Sequence, residues 1–266
     1  MMEKKEALLA KLRSYGSLAV GLSGGVDSSV LAKAAVLALG DRAVAITAVS
    51  ELLPEMEKKD AIACANQIGI RHVLMEAHDL DIPEVTRNDK ERCYYCKKHR
   101  FSKLMAWAKE NGYQYVADGS NVDDVGDYRP GMRAVEELKV VSPLAECGFG
   151  KEDIRELAQI WGLPVWSKPS AACLASRVAY GIPLSAARLQ RIEAAETILH
   201  RYIAGQLRLR DHGDIARIEL MTEDFEKFWA YREEITDAIK KLGYTYVTLD
   251  LSGYRMGSQN ESLRGK

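Results

Sequence analysis

The chain contains 266 residues, of which 47% are hydrophobic and 28% are charged, as in an ordinary globular protein. Its 37 basic and 38 acidic residues leave a net charge of −1, which argues against a protein held on nucleic acid mainly through phosphates. The sequence shows no apolar run long enough for a membrane span and no signal-peptide pattern. Its five cysteines therefore indicate a cytoplasmic protein with buried, redox-active or metal-bound thiols.

Short apolar strands alternate with amphipathic helices over the first part of the chain. This alternation predicts an α/β fold with a parallel sheet covered by helices on both faces. Ligands bind such sheets beyond the carboxyl ends of the strands, so loops 23–29, 50–54, 78–83 and 119–133 are expected to converge on one site. In chain order we predict a helix over 2–14, a strand over 17–22, a helix over 28–39, a strand over 43–49, a helix over 54–69, and strands over 72–77 and 113–118 with a long helix between them.

A second, smaller domain follows. After a helix over 151–162, the segment 166–183 has small residues, two prolines and no periodicity, which indicates an ordered loop or a domain junction. We predict an α/β domain over residues 1–180 and a small α+β domain over 181–266. The second domain is expected to contain a helix over 184–203, strands over 206–211 and 214–220, a helix over 223–242 and a strand over 244–251.

The segment SGGVDSS lies between a predicted strand and a predicted helix. Gly24 and Gly25 allow a tight turn whose N–H groups, with that of Val26, point at an anion, and the start of the predicted helix adds partial positive charge. A carboxylate in such a loop, here Asp27, would repel phosphate unless Mg²⁺ bridges the two. A plain turn capped by Asp27 or Ser28 is the alternative interpretation. The hydroxyl donors to a phosphate would be those of Ser23, Ser28 and Ser29.

The loop ADGSNVDDVGDYRPG contains four aspartates and an arginine after the fourth predicted strand. Because the carboxyl ends of parallel strands face the ligand, we expect metal and nucleotide contacts here, although a solvated acidic turn has the same composition. We take Asp124 as the second Mg²⁺ ligand, while the spacing leaves the other aspartates open. The remaining nucleotide contacts are predicted at Ser50, Gly119 and Arg129, and the open aspartates are Asp118, Asp123 and Asp127.

Cys93 and Cys96 form a single CxxC in NDKERCYYCKKHRF, where Asn88 is expected to cap a helix. Thiols three residues apart share one helix face. A zinc site would need a second ligand pair, which the sequence lacks, although His99 leaves a mixed site open. A thioredoxin-like redox pair is less favoured because that motif belongs at a strand–helix junction.

Cys173 lies among small residues in PSAACLASR, with Arg177 four residues later. Small neighbours allow close approach and an arginine favours the thiolate, but a buried structural cysteine is the alternative. Cys64 falls on an apolar helix face and is expected in the core, and Cys147 is assigned to the core or a loop. Three cysteines from two segments can hold three irons of a [4Fe–4S] cluster and leave the fourth iron open.

The phosphate loop resembles the PP-loop of the ATP-pyrophosphatase superfamily, whose members split ATP between the α and β phosphates. Taken with CYYCKKHRF, ADGSNVDDVGDYRPG, KPSAACLASR and RLRDHGDIARIEL, it resembles the LarE family of ATP-dependent sulfur transferases over nearly the whole chain. The resemblance implies an adenine nucleotide alpha hydrolase-like fold. It also implies ATP and Mg²⁺ as cofactors, a pyridinium-3,5-biscarboxylic acid mononucleotide as substrate, and a role in making the nickel-pincer nucleotide of lactate racemase. The family suggests a homo-oligomer, with a hexamer as one form.

One branch of the family sacrifices the sulfur of a single junction cysteine, whereas another binds a [4Fe–4S] cluster through two additional cysteines. Because Cys93 stands where the first branch has an aromatic residue, the chain resembles the cluster branch. Cys173 would then be a cluster ligand, and without the cluster it would be the sulfur donor. The resemblance also implies a substrate-phosphate clamp and a nearby acidic residue, at Ser176, Arg177, Arg208, Arg210 and Glu196.

Three other functions stay open from the sequence. A tRNA or other PP-loop thiolase would use the same cluster, but the second domain is mixed in charge, unlike an RNA-binding module. An amide-forming synthetase of the NAD synthetase type would need neither CxxC nor Cys173. A non-enzymatic nucleotide-dependent regulator would bind ATP without releasing pyrophosphate.

Overall fold

The structure, a computed structural model, describes residues 1–124, 130–169 and 172–260. The chain separates into two compact units, one formed by Met1–Asp79 with Glu91–Ala171 and the other by Leu80–Lys90 with Ala172–Lys266. The short segment Leu80–Lys90 thus belongs to the second unit, although residues of the first unit lie on both sides of it in the sequence. The domain boundary predicted at residue 180 remains a prediction.

A parallel four-stranded sheet forms the centre of the first unit, which confirms the predicted α/β class. The strand order is β3-β2-β1-β4, so the chain reverses direction of winding at β1. The carboxyl end of β1 therefore faces the crevice that such a reversal creates. The elements up to residue 169 are α1 (Met2–Ser14), β1 (Leu18–Gly21), α2 (Val26–Leu39), β2 (Ala43–Val49), α3 (Glu55–Ile68), β3 (Arg71–Glu76), α4 (Pro83–Thr86, in the second unit), α5 (Arg92–Glu110), β4 (Tyr115–Ala117), α6 (Pro130–Glu137), α7 (Pro143–Glu146) and α8 (Lys151–Ile160).

The two faces of this sheet are covered by different helices. Alternate residues of β1 show the division, because Leu18 and Val20 pack on one side and Ala19 packs on the other. Helices α1, α2, α3 and α8 cover the first side, and α5 and α6 cover the second. This two-sided burial explains why the strands have continuous apolar sequences instead of a polar alternation.

The predicted start of the CxxC helix is wrong. Helix α5 begins at Arg92 with Glu91 as the preceding residue, so Asn88 is not its N-cap. Asn88 instead adopts a left-handed φ of 55° within the second unit. Its side-chain amide donates to the carbonyls of Ala179 and Ile182 at 2.9 and 2.8 Å. Asparagine tolerates this backbone conformation, and these distant carbonyls provided a better partner than the helix end.

The second unit contains a three-stranded mixed sheet in the order β5-β6-β7, with β5 and β6 antiparallel and β6 and β7 parallel. The single helix predicted over 223–242 is instead two short helices, Phe225–Ala230 and Arg232–Lys240, which are separated at Tyr231. No helix in the described ranges combines the length and apolar character needed to cross a bilayer. The remaining elements are α9 (Ala186–His200), β5 (Leu207–Asp211), β6 (Ile215–Leu220), α10 (Phe225–Ala230), α11 (Arg232–Lys240) and β7 (Tyr246–Leu249).

Candidate functional site

The predicted phosphate loop forms a tight turn between β1 and α2. Gly24 has a φ of 76°, and a Cβ added there would meet the backbone N of Ala61 at 3.0 Å. Glycine is therefore required both by the backbone conformation and by the close approach of α3. Gly25 precedes α2, whose first turn, starting at Val26, contributes N–H groups that lack partners within the helix. The loop thus has the geometry of an anion site at a helix N-terminus.

The serines of the loop differ in what their hydroxyls can do. The Ser23 N–H donates to Ser28 Oγ at 3.2 Å, and the two hydroxyls lie 3.1 Å apart. Both residues line an open cleft, where these hydroxyls can reach a ligand. Ser29 is fully buried, and its hydroxyl donates to the Gly25 carbonyl at 2.8 Å. The Ser28 hydroxyl is also buried and donates to the same carbonyl at 3.2 Å, so Ser28 and Ser29 both hold the turn, and Ser28 also borders the cleft together with Ser23.

Asp27 carries the carboxylate of the loop and is partly exposed. Its two oxygens accept hydrogen bonds from Lys151 Nζ at 2.5 and 2.8 Å, and Asn121 Nδ2 donates to it at 3.3 Å. Lys151 is the first residue of α8, following Gly150, and sequence reasoning did not select it. Its signal was weak, since a lysine opening an amphipathic helix ordinarily faces solvent. The ammonium group places a positive charge directly beside the phosphate loop.

The loop after β4 packs against the phosphate loop. A Cβ at Gly119 would lie 2.9 Å from the Ser28 N, so glycine is needed here for close approach to α2. Asp124 lines the same cleft as Asp27 and accepts from the Asn121 N–H at 3.0 Å. Asp123 instead accepts from the Lys151 N–H at 2.6 Å. The predicted Arg129 and Asp127 lie outside the described residues.

Asp118 is buried and its carboxylate serves the local structure. Ser120 Oγ and Ser142 Oγ donate to it at 2.6 and 2.7 Å. Lys97 Nζ, on α5, lies 3.4 Å from the same carboxylate. These contacts explain an aspartate at this position without a metal, although Asp118 also lines the cleft.

The loops after β1, β2 and β4 border a cleft of about 310 Å³, whereas no residue of the predicted loop 78–83 is among those that line it. This convergence follows the rule for parallel sheets from which the site was predicted. Ser50 is connected to the cleft through Arg100, whose Nη2 donates to Ser50 Oγ at 2.8 Å and which also pairs with the buried carboxylate of Asp79. Sequence reasoning missed Arg100 because a helical arginine carries no local signature. The cleft is lined by Gly21, Leu22, Ser23, Asp27, Ser28, Ile46, Thr47, Ala48, Leu53, Lys97, Arg100, Phe101, Leu104, Asp118, Gly119, Ser120 and Asp124.

Within the second unit, the predicted arginines are buried among carboxylates. Arg177 makes a two-point contact with Glu196, with both N–O distances 3.0 Å, and Glu196 also accepts from the Leu209 N–H at 3.0 Å. Arg210 pairs with Glu219 through Nε at 3.0 Å and Nη2 at 2.8 Å. The Arg177–Glu196 pair joins two nitrogens to two carboxylate oxygens, whereas both Arg210 nitrogens contact the single oxygen Oε2 of Glu219. Each arrangement restricts the orientation of its guanidinium.

Arg208 is buried in the same unit as Arg177 and Arg210. Burial, followed by the positive charge of Arg177, lowers the pKa of Arg208 below its ordinary value. Its Nη1 donates to the Leu207 carbonyl at 2.6 Å, and its guanidinium lies over the Tyr254 ring at 5.5 Å. An anion bound beside Arg208 would relieve the cost of burying its charge. Ser176 immediately precedes Arg177 in the chain, and its hydroxyl donates to the Cys173 carbonyl at 2.7 Å.

None of the five cysteines forms a disulfide, and they differ in exposure, with Cys64 buried and Cys147 half-buried. Cys93 is exposed and Cys96 half-buried at the start of α5, while Cys173 is half-buried in the second unit. Arg92 Nη2 lies 4.0 Å from Cys93 Sγ, where a positive charge favours the thiolate.

The other two thiols are less reactive. Cys64 is in the core as predicted, and burial raises the pKa of both Cys64 and Cys147. The nearby His99 has its Nε2 2.6 Å from the Ala77 carbonyl, which engages that nitrogen in a structural contact. Across the described ranges, no group of three or more His, Cys, Asp or Glu side chains is arranged to hold a metal ion.

Known proteins resemble the chain at two levels. The NAD synthase family matches residues 3–109, the part that contains the phosphate loop. Over 261 residues the chain is 36% identical to the pyridinium-3,5-bisthiocarboxylic acid mononucleotide synthase of Lactiplantibacillus plantarum, covering 98% of this chain and 95% of that protein. It is 43% identical to an uncharacterised protein of Synechocystis, with 97% and 98% covered. A tRNA-specific 2-thiouridylase of Clostridium kluyveri is 26% identical over only 56% of this chain and 52% of its own.

Proposed function

Because the chain belongs to the family of pyridinium-3,5-bisthiocarboxylic acid mononucleotide synthases, we propose that it inserts sulfur into a pyridinium-3,5-biscarboxylic acid mononucleotide after activating a carboxylate with ATP. The family relationship makes the chain an ATP-using enzyme of the PP-loop type. The reaction would be a step in the biosynthesis of the nickel-pincer nucleotide cofactor of lactate racemase. The observation that carries this proposal is the cleft in which the phosphate loop, Asp27 and Asp124 meet.

The residues of the cleft fit Mg-ATP. Two carboxylates, Asp27 and Asp124, line the same space as the donors Ser23 and Ser28, which suits a magnesium ion held between protein carboxylates and phosphate oxygens. Bound there, the ion would neutralise charge on the triphosphate. Lys151, which neutralises Asp27 in this structure, would supply a second positive charge to the phosphates once the metal occupies that carboxylate.

Adenylylation requires positioning and charge stabilisation more than covalent chemistry by the protein. A substrate carboxylate oxygen forms a bond to the α-phosphorus, and the bond from that phosphorus to the α–β bridging oxygen breaks to release pyrophosphate. The N–H groups at the start of α2 and the Ser23 and Ser28 hydroxyls would hold the phosphates in place during this step. The product is an acyl adenylate. A sulfide donor then forms the carbon–sulfur bond, and AMP leaves with the former carboxylate oxygen.

The thiol set fits an iron–sulfur cluster in its chemistry. Cys93 is exposed and Cys96 and Cys173 are half-buried, and soft thiolates are the ordinary ligands of such clusters. Cys64 and Cys147 have pKa values raised by burial and do not belong to this set. A [4Fe–4S] cluster held by three thiolates supplies one iron that is open to an external ligand. If no cluster binds, Cys173 is the residue that would lose its sulfur to the substrate.

We assign recognition of the substrate's phosphate to the second unit. Arg208 is buried with a pKa lowered by burial and by Arg177, so an anion beside it would be stabilised. Arg177 and Arg210, each oriented by a carboxylate, would complete the clamp with Ser176. Glu196 would act close to this site through Arg177.

One experiment tests the reaction directly. Anaerobically purified protein is incubated with Mg-ATP and the biscarboxylated pyridinium mononucleotide, and both protein and nucleotide are followed by mass spectrometry. Exchange of oxygen for sulfur in the nucleotide with an intact Cys173 supports the cluster route. Exchange accompanied by loss of hydrogen sulfide from the protein supports sacrifice of Cys173. Release of pyrophosphate without exchange, or no reaction, refutes the proposed sulfur insertion.

The cysteine assignment has a matched control. The Cys93→Ala and Cys96→Ala variants are expected to lose iron and sulfide after anaerobic reconstitution, while Cys147→Ala retains wild-type iron content because its thiol is not part of the set. Equal iron content in all three variants would contradict the cluster proposal. Substrate-dependent ATP–pyrophosphate exchange in each variant shows whether the adenylylation site is intact.

The oligomeric state and the exclusion of RNA remain part of the proposal. We expect a homo-oligomer, with a hexamer as one form, which sedimentation measurements would establish. The rival tRNA thiolase function predicts pyrophosphate release that depends on tRNA instead of the mononucleotide. A rate that responds only to the mononucleotide would exclude it.

A further inference from the structure

Lys168 belongs to the KPSAACLASR motif, and its side chain contacts the phosphate loop and helix α3. Its Nζ donates to the Gly24 carbonyl at 3.3 Å and contacts Glu57 Oε2 at 2.8 Å and Asp60 Oδ2 at 2.6 Å. The Lys168 backbone is itself held, because its carbonyl accepts from Arg155 Nη2 at 3.2 Å. A single ammonium group therefore joins the phosphate loop to helix α3.

The contact with Gly24 determines which way the neighbouring peptide N–H points. Peptide bonds in the described chain are trans, so the Gly24 carbonyl and the Gly25 N–H point in opposite directions within one peptide plane. With the carbonyl held on the side of α3, the Gly25 N–H points toward Ser23 Oγ, 3.4 Å away on the cleft side. The close approach of Gly24 to Ala61 leaves the loop little room to shift toward α3.

Lys168 stays charged in this position. Burial lowers its pKa, but the hydrogen bonds to Asp60 and Glu57 outweigh burial and raise the pKa above the ordinary value of a lysine. Its ammonium is occupied by two carboxylates and a carbonyl, so it does not act as a phosphate ligand in this conformation.

We infer that Lys168 is a positioning residue, which sets the phosphate-binding conformation of the Ser23–Gly25 turn by holding the Gly24 carbonyl against α3. This inference rests on the proposed function in one respect, namely that the turn binds the β and γ phosphates of ATP. Loss of the contact frees the peptide between Gly24 and Gly25 to rotate and removes an aligned donor from the anion site.

The test compares two nucleotides that differ in the phosphates the turn would contact. Calorimetric binding of Mg-ATP and of AMP is measured for the wild type, Lys168→Met, Lys168→Arg and the control Lys59→Met, which removes an exposed lysine from α3. We expect Lys168→Met to bind Mg-ATP about 100-fold more weakly, because displacement of binding groups by about 1 Å has effects of this size. AMP binding should change little, and Lys168→Arg should retain most of the Mg-ATP affinity because its guanidinium can donate to the same three partners.

A triple variant separates positioning from folding. Lys168→Met leaves Glu57 and Asp60 as adjacent negative charges, so Lys168→Met combined with Glu57→Gln and Asp60→Asn removes that repulsion. We expect this variant to melt near the wild type and still to bind Mg-ATP weakly with AMP binding preserved. Wild-type Mg-ATP affinity in the triple variant, or an equal loss of ATP and AMP binding, would overturn the inference. A wild-type protein that binds no ATP would refute the proposed function instead.

Discussion

Substitution of Glu196 tests whether this carboxylate takes part in the reaction or only holds a neighbouring residue in place. It is 9% exposed and accepts three hydrogen bonds, two from Arg177 and one from the Leu209 N–H. Replacing it with alanine would leave the Arg177 guanidinium buried without a carboxylate partner in the pair, while its Nη1 still donates to the carbonyls of Ala172 and Cys173 and to the Ser176 hydroxyl. We therefore predict that Glu196→Ala chiefly destabilises the second unit.

The expected magnitude follows from the burial of the pair. Removing one partner of a buried ion pair costs about 3–5 kcal/mol, because the other charge is left uncompensated. With a urea dependence of about 2 kcal/mol per molar, the unfolding midpoint should fall by about 1.5–2.5 M. Glu196→Gln keeps the shape and one acceptor, so its loss should be about 1.5–3 kcal/mol, the value of one hydrogen bond to a charged group.

The assay is equilibrium urea unfolding followed by far-ultraviolet circular dichroism. The control is Glu233→Ala, which removes a glutamate that is also paired with an arginine but whose side chain is 83% exposed. Surface pairs contribute about 0–1 kcal/mol, so its midpoint should stay near that of the wild type. If Glu196→Ala unfolds with the wild type yet no longer inserts sulfur, Glu196 acts in the chemistry and the structural argument is refuted.

Three further predictions concern the cleft and the buried charges. Asp27→Asn should lower Mg-ATP-dependent pyrophosphate release by about 100-fold or more, because weaker binding of the magnesium ion leaves the negative charge that develops on the phosphates without its stabilising cation. An unchanged rate would show that Asp27 is not a magnesium ligand. Gly119→Ala should cost about 1–3 kcal/mol in unfolding free energy and weaken ATP binding, because the added Cβ would lie 2.9 Å from the Ser28 N; a variant that melts and binds like the wild type would show that α2 can shift. Burial opposes ionisation of Asp211, but hydrogen bonds from a backbone N–H and an arginine hold its pKa in the folded protein below the ordinary range. The ionised carboxylate therefore contributes its full stabilisation above about pH 4, the ordinary pKa of an aspartate in the unfolded chain. That stabilisation is lost as the pH falls through the lower pKa of the folded protein. Urea unfolding between pH 2 and pH 6 should accordingly show a weaker acid loss for Asp211→Asn than for the wild type, and parallel curves would contradict this assignment.

Local pattern was enough to predict most of the secondary structure. The strand over 43–49 and the helix over 2–14 agree with the structure, since hydrophobic periodicity and glycine stops are properties of neighbouring residues. Predictions that relied on a single capping residue did less well. Asn88 matches the capping pattern, but its amide bonds to carbonyls some ninety positions away in the chain. A local rule cannot anticipate a partner that only folding brings near.

Hydrophobic alternation and motif spacing by themselves determined the fold class and predicted the phosphate loop, and the resemblance of five motifs to known proteins indicated the family. They also predicted that several loops meet at the carboxyl edge of the sheet, because parallel topology imposes that convergence on any such sequence. Only the tertiary structure decided how individual charges are used there. Lys151 beside Asp27, Arg100 beside Ser50 and Lys168 behind Gly24 join residues 50 to 144 positions apart, and electrostatic pairing depends on distance in space, which the order of residues along the chain does not encode.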